Sequence, residues 1–415
     1  MTHTDPLALP PKHDPSPEWS QSLAGGAAGI ALLHIAHAHA GVGDWGTAHQ
    51  WVAAMTRSPV VADPDACGLF RGAPAVAFVL RVAARPEYAA ALRTLDGHIA
   101  TLTRHRLDRA HERIERGQLP ALGEFDLING LTGIGVYLLQ ANNTDLLREV
   151  LSYLARLVVQ PVIVDGEKLP GWWTGHGPAD QPSIDWPGGH SNLGLAHGLA
   201  GPLTVLASAL ARGIVVTGHG VAVQRICAFL DQWRCGTRSR PWWPGMISPN
   251  EWKNRTVEQS GPQRPSWCYG TPGLARAQQL AALALGDPQR QRHAEDALAG
   301  CLTDEEQLSQ LGGASVCHGW AGLVQTTRRA AADAGPDSEL AALLPHLRTR
   351  FEQHLHHQRQ PIGDGLLEGA TGVALTRHAT ADGVSPASRW DACLLLAPPT
   401  REAPPALETL HMEGR

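Results

Sequence analysis

Two short loops of this chain carry the residue types of a soft-metal site. The first reads RPSWCYGTPG from Arg264 to Gly273 and holds Cys268; the second reads SVCHGWAG from Ser315 to Gly322 and holds Cys317 and His318. Each cysteine stands two residues ahead of a G-x-x-G tetrapeptide, and His318 stands one residue ahead of it. The thiols are 49 residues apart, so no local CxxC spacing joins them. Register does. If the loops belong to neighbouring copies of one structural unit, equivalent positions fall side by side and the three side chains converge. Two thiolates and one imidazole are the protein ligand set of a catalytic zinc centre, with the fourth position open. The sulfur pair favours zinc over magnesium or calcium. One zinc ion per chain is the expectation.

The units that would impose this register are visible along the chain. G-x-x-G followed by a small-residue apolar run starts at Gly26, Gly130, Gly198, Gly270, Gly319 and Gly369, with a degenerate copy at Gly72 where Ala75 replaces the second glycine. Successive first glycines are 46, 58, 68, 72, 49 and 50 residues apart, the spacing of a repeat architecture. Each apolar run has helical period; Leu203, Leu206, Ala207 and Leu210 follow the i, i+3, i+4, i+7 template. More polar helical patterns follow at Glu87–Arg116, Asp145–Val159, Val221–Arg234, Asp287–Leu302 and Glu339–Gln358. Weaker ones span Thr47–Arg57 and Pro386–Ala397.

A helix lined with small and apolar residues on most sides belongs inside, and one with a charged face belongs outside. The pattern therefore predicts an all-α fold of two concentric layers, about seven inner and seven outer helices. Closure into a ring is favoured over an open solenoid because the last copy resembles the interior ones, whereas open arrays end in polar caps. No strand alternation competes. Residues 17–415 are expected to form one domain, preceded by a flexible, proline-rich tail over residues 1–16.

Composition excludes several classes of function. The chain has 415 residues, a net charge of -5 and no long basic run, which argues against a nucleic-acid partner. There is no cationic segment followed by an apolar one at the N-terminus, and no membrane-length apolar run. Seven cysteines scattered over such a chain are not a disulfide framework. The expectation is a cytoplasmic protein with no membrane insertion.

In a ring, the G-x-x-G turns at the inner-helix N-termini gather around one mouth, with their orphan N–H groups. Immediately before the first glycines stand Gly25, Arg71, Asn129, His197, Tyr269, His318 and Glu368. Polar and metal-competent residues thus collect where the mouth should be. Cys227, Cys235, Cys301 and Cys393 fall on or near outer helices and read as packing thiols; Cys67 has no partner in register. His34, His37 and His39, like His354, His356 and His357, lack sulfur partners and read as satisfied or solvated. The long connections around the fourth copy carry Trp172, Trp173, Trp186, Trp242, Trp243 and Trp252. They either pin loops to the rim or wall a substrate groove.

Four segments resemble the lanthionine synthetase C family, the cyclases of lanthipeptide (lantibiotic) biosynthesis: FDLINGLTG at Phe125–Gly133, NLGLAHGLAG at Asn192–Gly201, and the two cysteine loops above. The seven turns extend the likeness over nearly the whole chain beyond residue 16. The resemblance implies an α/α toroid with a single zinc, ligated here by Cys268, Cys317 and His318. It implies catalytic roles for His197, Asp126 and Arg264, with Trp267 and Tyr269 as substrate-contact candidates. It implies Michael addition of cysteine thiols of a dehydrated precursor peptide to dehydroalanine or dehydrobutyrine, giving thioether rings. A dehydratase and an exporter of the same pathway are candidate partners. The start at Met1 points to a stand-alone enzyme. Two other readings compete. One is a non-catalytic zinc toroid that binds thiols or peptides as an adaptor. The other is an (α/α) glycosidase using paired carboxylates, for which Asp126 and Glu368 are the available pair.

Overall fold

The computed structural model describes residues 7, 9–11, 16–357, 363–381 and 388–397. Among the described residues, thirteen helices of eleven residues or more build two layers. The inner ones are α1 (Ala27–His39), α3 (Ala73–Ala83), α5 (Leu131–Ala141), α7 (Ala200–Ala211), α9 (Thr271–Leu285), α11 (Trp320–Ala334) and α13 (Ala370–Thr380). The outer ones are α2 (Trp45–Met55), α4 (Ala89–Glu115), α6 (Thr144–Val159), α8 (His219–Gln232), α10 (Pro288–Leu302) and α12 (Glu339–His357). Each inner helix packs on the next, and α13 packs on α1, so the inner layer is a closed ring. The architecture is an α/α toroid, as the repeat pattern required. Inner helices are buried almost throughout, whereas α4 buries only a stripe that includes Leu95, Ile99, Leu102, Leu107, Ala110 and Ile114. That difference follows from their composition: a small-residue helix has no charged face to present to water.

The repeated second glycine has a steric cause. A Cβ at Gly273 would sit 2.2 Å from the Trp267 carbonyl oxygen, and one at Gly322 would sit 2.0 Å from that of Val316. Glycine lets the first helical turn lie against the loop that precedes it. At the degenerate copy Ala75 is accommodated and fully buried.

Rim loops are tied to one another by backbone hydrogen bonds at matching positions. Leu195 N–H donates to Cys268 O (2.9 Å), Cys268 N–H to Cys317 O (3.2 Å), Cys317 N–H to Leu367 O (2.8 Å) and Leu367 N–H to Ala24 O (3.0 Å). Leu127 N–H to Ala196 O (3.1 Å) and Leu23 N–H to Phe70 O (2.9 Å) continue the belt. This belt sets the register on which the metal centre depends.

Two expectations need correction. Pro386–Ala397 is not an outer helix: among its described residues Trp390–Leu394 form a 3₁₀ turn that lies along the axis of the ring. The Leu394 carbonyl accepts from the Trp267 indole (2.9 Å), and that of Leu396 accepts from Arg276 on α9 (2.7 Å). Asp391, fully buried, accepts from Gln325 and Arg329 of α11, and Ala392 and Leu395 face α5 and α7. A short segment touching so many inner helices fills the hole that seven helices leave. The charged Asp391–Arg329 pair holds it there, since removing either partner would strand a buried charge at a cost of roughly 3–5 kcal/mol.

The long connections are also not free of strands. Three two-stranded ribbons form, pairing 162–164 with 167–169, 191–192 with 246–247, and 235–236 with 241–242. Trp172, Trp173 and Trp243 are buried, and Trp252 packs against Trp173, Trp233 and Phe229. These tryptophans fasten the connections to the ring. Of residues 1–16, most lie outside those described; Leu7 is buried and its carbonyl is 2.7 Å from His34 Nε2.

Candidate metal centre and active site

The loops before α9 and α11 bring Cys268, Cys317 and His318 together. Their ligand atoms lie within 4.8 Å of one another, and among the described residues no other group of three or more Cys, His, Asp or Glu side chains is so placed. The cause is the backbone belt. Cys268 and Cys317 share a rung of it, so their side chains leave from equivalent positions on adjacent loops. His318 is the next residue, and its Nδ1 meets Glu368 Oε1 at 3.0 Å. That fixes the ring and leaves Nε2 for the sulfurs, the orientation a carboxylate gives to a zinc-ligating histidine. Cys268 is the more acidic thiol. Its pKa is held well below the ordinary value first by a hydrogen bond from Cys317, against burial, and then by His318. Cys317 is pushed the other way by the same interaction. A pair of sulfurs sharing one proton, with an imidazole aimed at them, fits a divalent soft cation.

A second cluster stands on the neighbouring loops. Asp126, fully buried, follows a short helical turn at Leu122–Phe125, and its Oδ1 accepts the N–H groups of Asn129 and Gly130 at 2.7 Å each. Its other oxygen meets His197 Nδ1 at 2.6 Å. Burial disfavours the imidazolium, but the hydrogen bond and charge of Asp126 outweigh it, and the His197 pKa is raised. The charge of Cys268 acts in the same direction, so the two clusters are close enough to feel each other. With Nδ1 engaged, Nε2 of His197 is the nitrogen free to exchange a proton with a guest.

Tyr269 lies next to Cys268 in the chain and is partly buried; its hydroxyl oxygen accepts from Asn192 Nδ2 at 2.9 Å. Burial raises its pKa to about 12. The phenol therefore stays protonated near neutrality and keeps its own hydrogen to donate. Arg264 is exposed at the rim, where its charge acts on His318. Trp267 departs from expectation. It is fully buried with its indole N–H on Leu394 O, beneath the cysteine loop and not on the mouth.

Sequence reasoning missed the partners of the named residues. Glu368 is the polar residue before the first glycine of the last copy, and the same register that places His318 also places Glu368 beside it. Asn192 lies in the His197 segment but is not marked by any spacing. Ser266, whose Oγ is 3.7 Å from Cys268 Sγ, gave no signal at all.

Glu368→Gln is expected to weaken metal binding roughly 10- to 100-fold while leaving the fold intact. Competition against a calibrated chelator reads this directly. Undiminished affinity would mean the carboxylate does not orient His318.

Similarity to known proteins is extensive. Residues 17–395 match the family model described as lanthionine synthetase C-like protein. Among curated proteins, nisin biosynthesis protein NisC of Lactococcus lactis subsp. lactis is 26% identical over 264 residues, covering 61% of this chain. The matched stretch spans 60% of that protein's length. A solved structure described as nisin cyclase superposes with a TM-score of 0.74 at 22% identity, covering 91% of this chain and 92% of that one. At that identity the likeness establishes the fold.

Proposed function

This chain belongs to the lanthionine synthetase C-like family, and we propose that it is a zinc-dependent lanthipeptide cyclase. It closes thioether rings in a dehydrated precursor peptide by adding cysteine thiols to dehydroalanine or dehydrobutyrine. The observation that carries the reading is the pairing of a two-sulfur, one-imidazole metal cluster with a charge-supported histidine on the adjoining loops of one mouth. An adaptor that only held thiols would have no use for the second cluster, and a glycosidase none for the first.

Cys268, Cys317 and His318 would hold zinc, which would keep a bound substrate thiol ionised. Ionisation is a modest part of the effect. A thiol of pKa about 8.5 is roughly 3% thiolate at pH 7, so full ionisation gains about 30-fold, near 2 kcal/mol. Alignment of sulfur with the alkene contributes more. Addition leaves an enolate whose α-carbon must take a proton. His197 supplies it from Nε2, with Asp126 fixing the tautomer and stabilising the imidazolium. Tyr269, a neutral donor, and Arg264, a fixed charge, are the groups available to stabilise the enolate oxygen.

Purified protein with one equivalent of zinc, incubated with a dehydrated cysteine-containing peptide, is expected to consume free thiol without a change in peptide mass. Binding of the peptide with no loss of thiol would make the protein an adaptor.

A further inference from the structure

A cavity of about 430 Å³ opens beside the His197–Asp126 pair, between the second and third repeats, and the proposed reaction makes no use of it. Three arginines line it, Arg71, Arg106 and Arg109, together with Asn129. Arg71 and Asn129 occupy the position immediately before a first glycine, equivalent to His197, Tyr269 and His318. They are thus the mouth-facing residues of two adjacent repeats that contribute neither metal ligand nor imidazole. The cavity shares its wall with the active-site loop, because the Asn129 N–H is bonded to Asp126.

The acids around this cavity are already engaged. Asp180 accepts the N–H groups of Leu122 and Gly123, each at 2.9 Å. Glu124 is held by Arg113 and by the Tyr153 hydroxyl at 2.6 Å each. Asp65 pairs with Arg109 on the open side. That leaves Arg71 and Arg106 as the cavity arginines without a carboxylate held against them inside the recess. Arg106 spends its terminal nitrogens on the carbonyls of Cys67 and Gly123 (2.8 and 2.7 Å), and no carboxylate among the described residues lies within ion-pair distance. Among the described residues Arg71 pairs only with Glu18, at 3.6 Å, with both side chains about half exposed or more, a contact of little consequence in water. A guanidinium with open donors in a recess is suited to a carboxylate, which it grips through two parallel hydrogen bonds.

We propose that this recess is a specificity site for an acidic residue, Asp or Glu, of the peptide substrate, seated while the reacting segment lies against His197. The assignment rests on the cyclase reading for the identity of the guest. Carboxylate recognition itself does not.

The test uses an unreactive pair of fluorescently labelled peptides, without cysteine or dehydrated residues, that differ only by Glu against Gln. Full-length zinc-loaded protein is expected to bind the Glu peptide about tenfold more tightly, the effect of one charge-assisted contact, with the preference falling as salt rises. Arg71→Gln should remove most of that preference at unchanged zinc content. Arg106→Gln, which removes the other guanidinium without a carboxylate partner, is the second variant should the first be poorly behaved. Equal binding of both peptides by the wild type would overturn the proposal, as would a preference that survives in both variants. Displacement of the Glu peptide by an equal concentration of inorganic phosphate would overturn the peptide assignment in favour of a small-oxyanion site. A Glu preference without thiol consumption in the reactive assay would sink the cyclase reading alone; thiol consumption without the preference would sink this inference alone.

Discussion

Cys268→Ala and Cys317→Ala should each abolish stoichiometric zinc binding, with the helical fold retained. The separation of the two outcomes follows from how the loops are built. The belt that holds these loops in register runs through the N–H and C=O groups of Cys268 and Cys317, not through their sulfurs. Alanine keeps every one of those hydrogen bonds and removes only a ligand. With one of three ligands gone, the remaining sulfur and imidazole are a weak site for zinc. Metal analysis after gel filtration, alongside circular dichroism, reads both quantities. One equivalent of zinc retained in both variants would eliminate the centre described above.

The second large effect is at His197. His197→Asn should keep a full equivalent of zinc yet slow ring formation by roughly 10²- to 10⁴-fold, the usual range for loss of a positioned proton donor. The pH profile gives an independent check. The acid form is the one that protonates the enolate, and Asp126 raises the pKa of His197 against burial. Asp126→Asn removes the largest opposition to burial, so the pKa falls and the alkaline limb of turnover moves to lower pH. A variant cyclising at the wild-type rate, or a limb that stays in place, would mean the proton comes from another group, with the Tyr269 hydroxyl the next in line.

The two sites differ in how far the sequence alone reaches them. For the candidate metal centre, the cluster was readable because Cys268, Cys317 and His318 occupy matching positions in neighbouring repeats. Repetition converts a separation of 49 residues into adjacency. The Asp126–His197 pair joins residues 71 apart, across unlike positions of unlike repeats. His197 stands in the rim register, but only the family likeness of its segment marked Asp126. Trp267 shows the opposite failure. An aromatic residue next to a metal ligand invites a substrate role, yet its side chain leaves the loop on the far side and is buried against Leu394.

By itself the sequence determined what is local or periodic: which segments are helices, which helices lie inside, and which positions meet at one rim. Those outcomes follow from steric and solvation preferences acting within one repeat, so they recur wherever the pattern does. Tertiary structure alone decided the rest. The path of Ser388–Ala397 into the ring's axis and the pairing of acids and arginines beside Asn129 depend on where non-repeating side chains find partners. No period encodes that, because each such contact is made once, between segments whose separation in the chain carries no information about their distance in space.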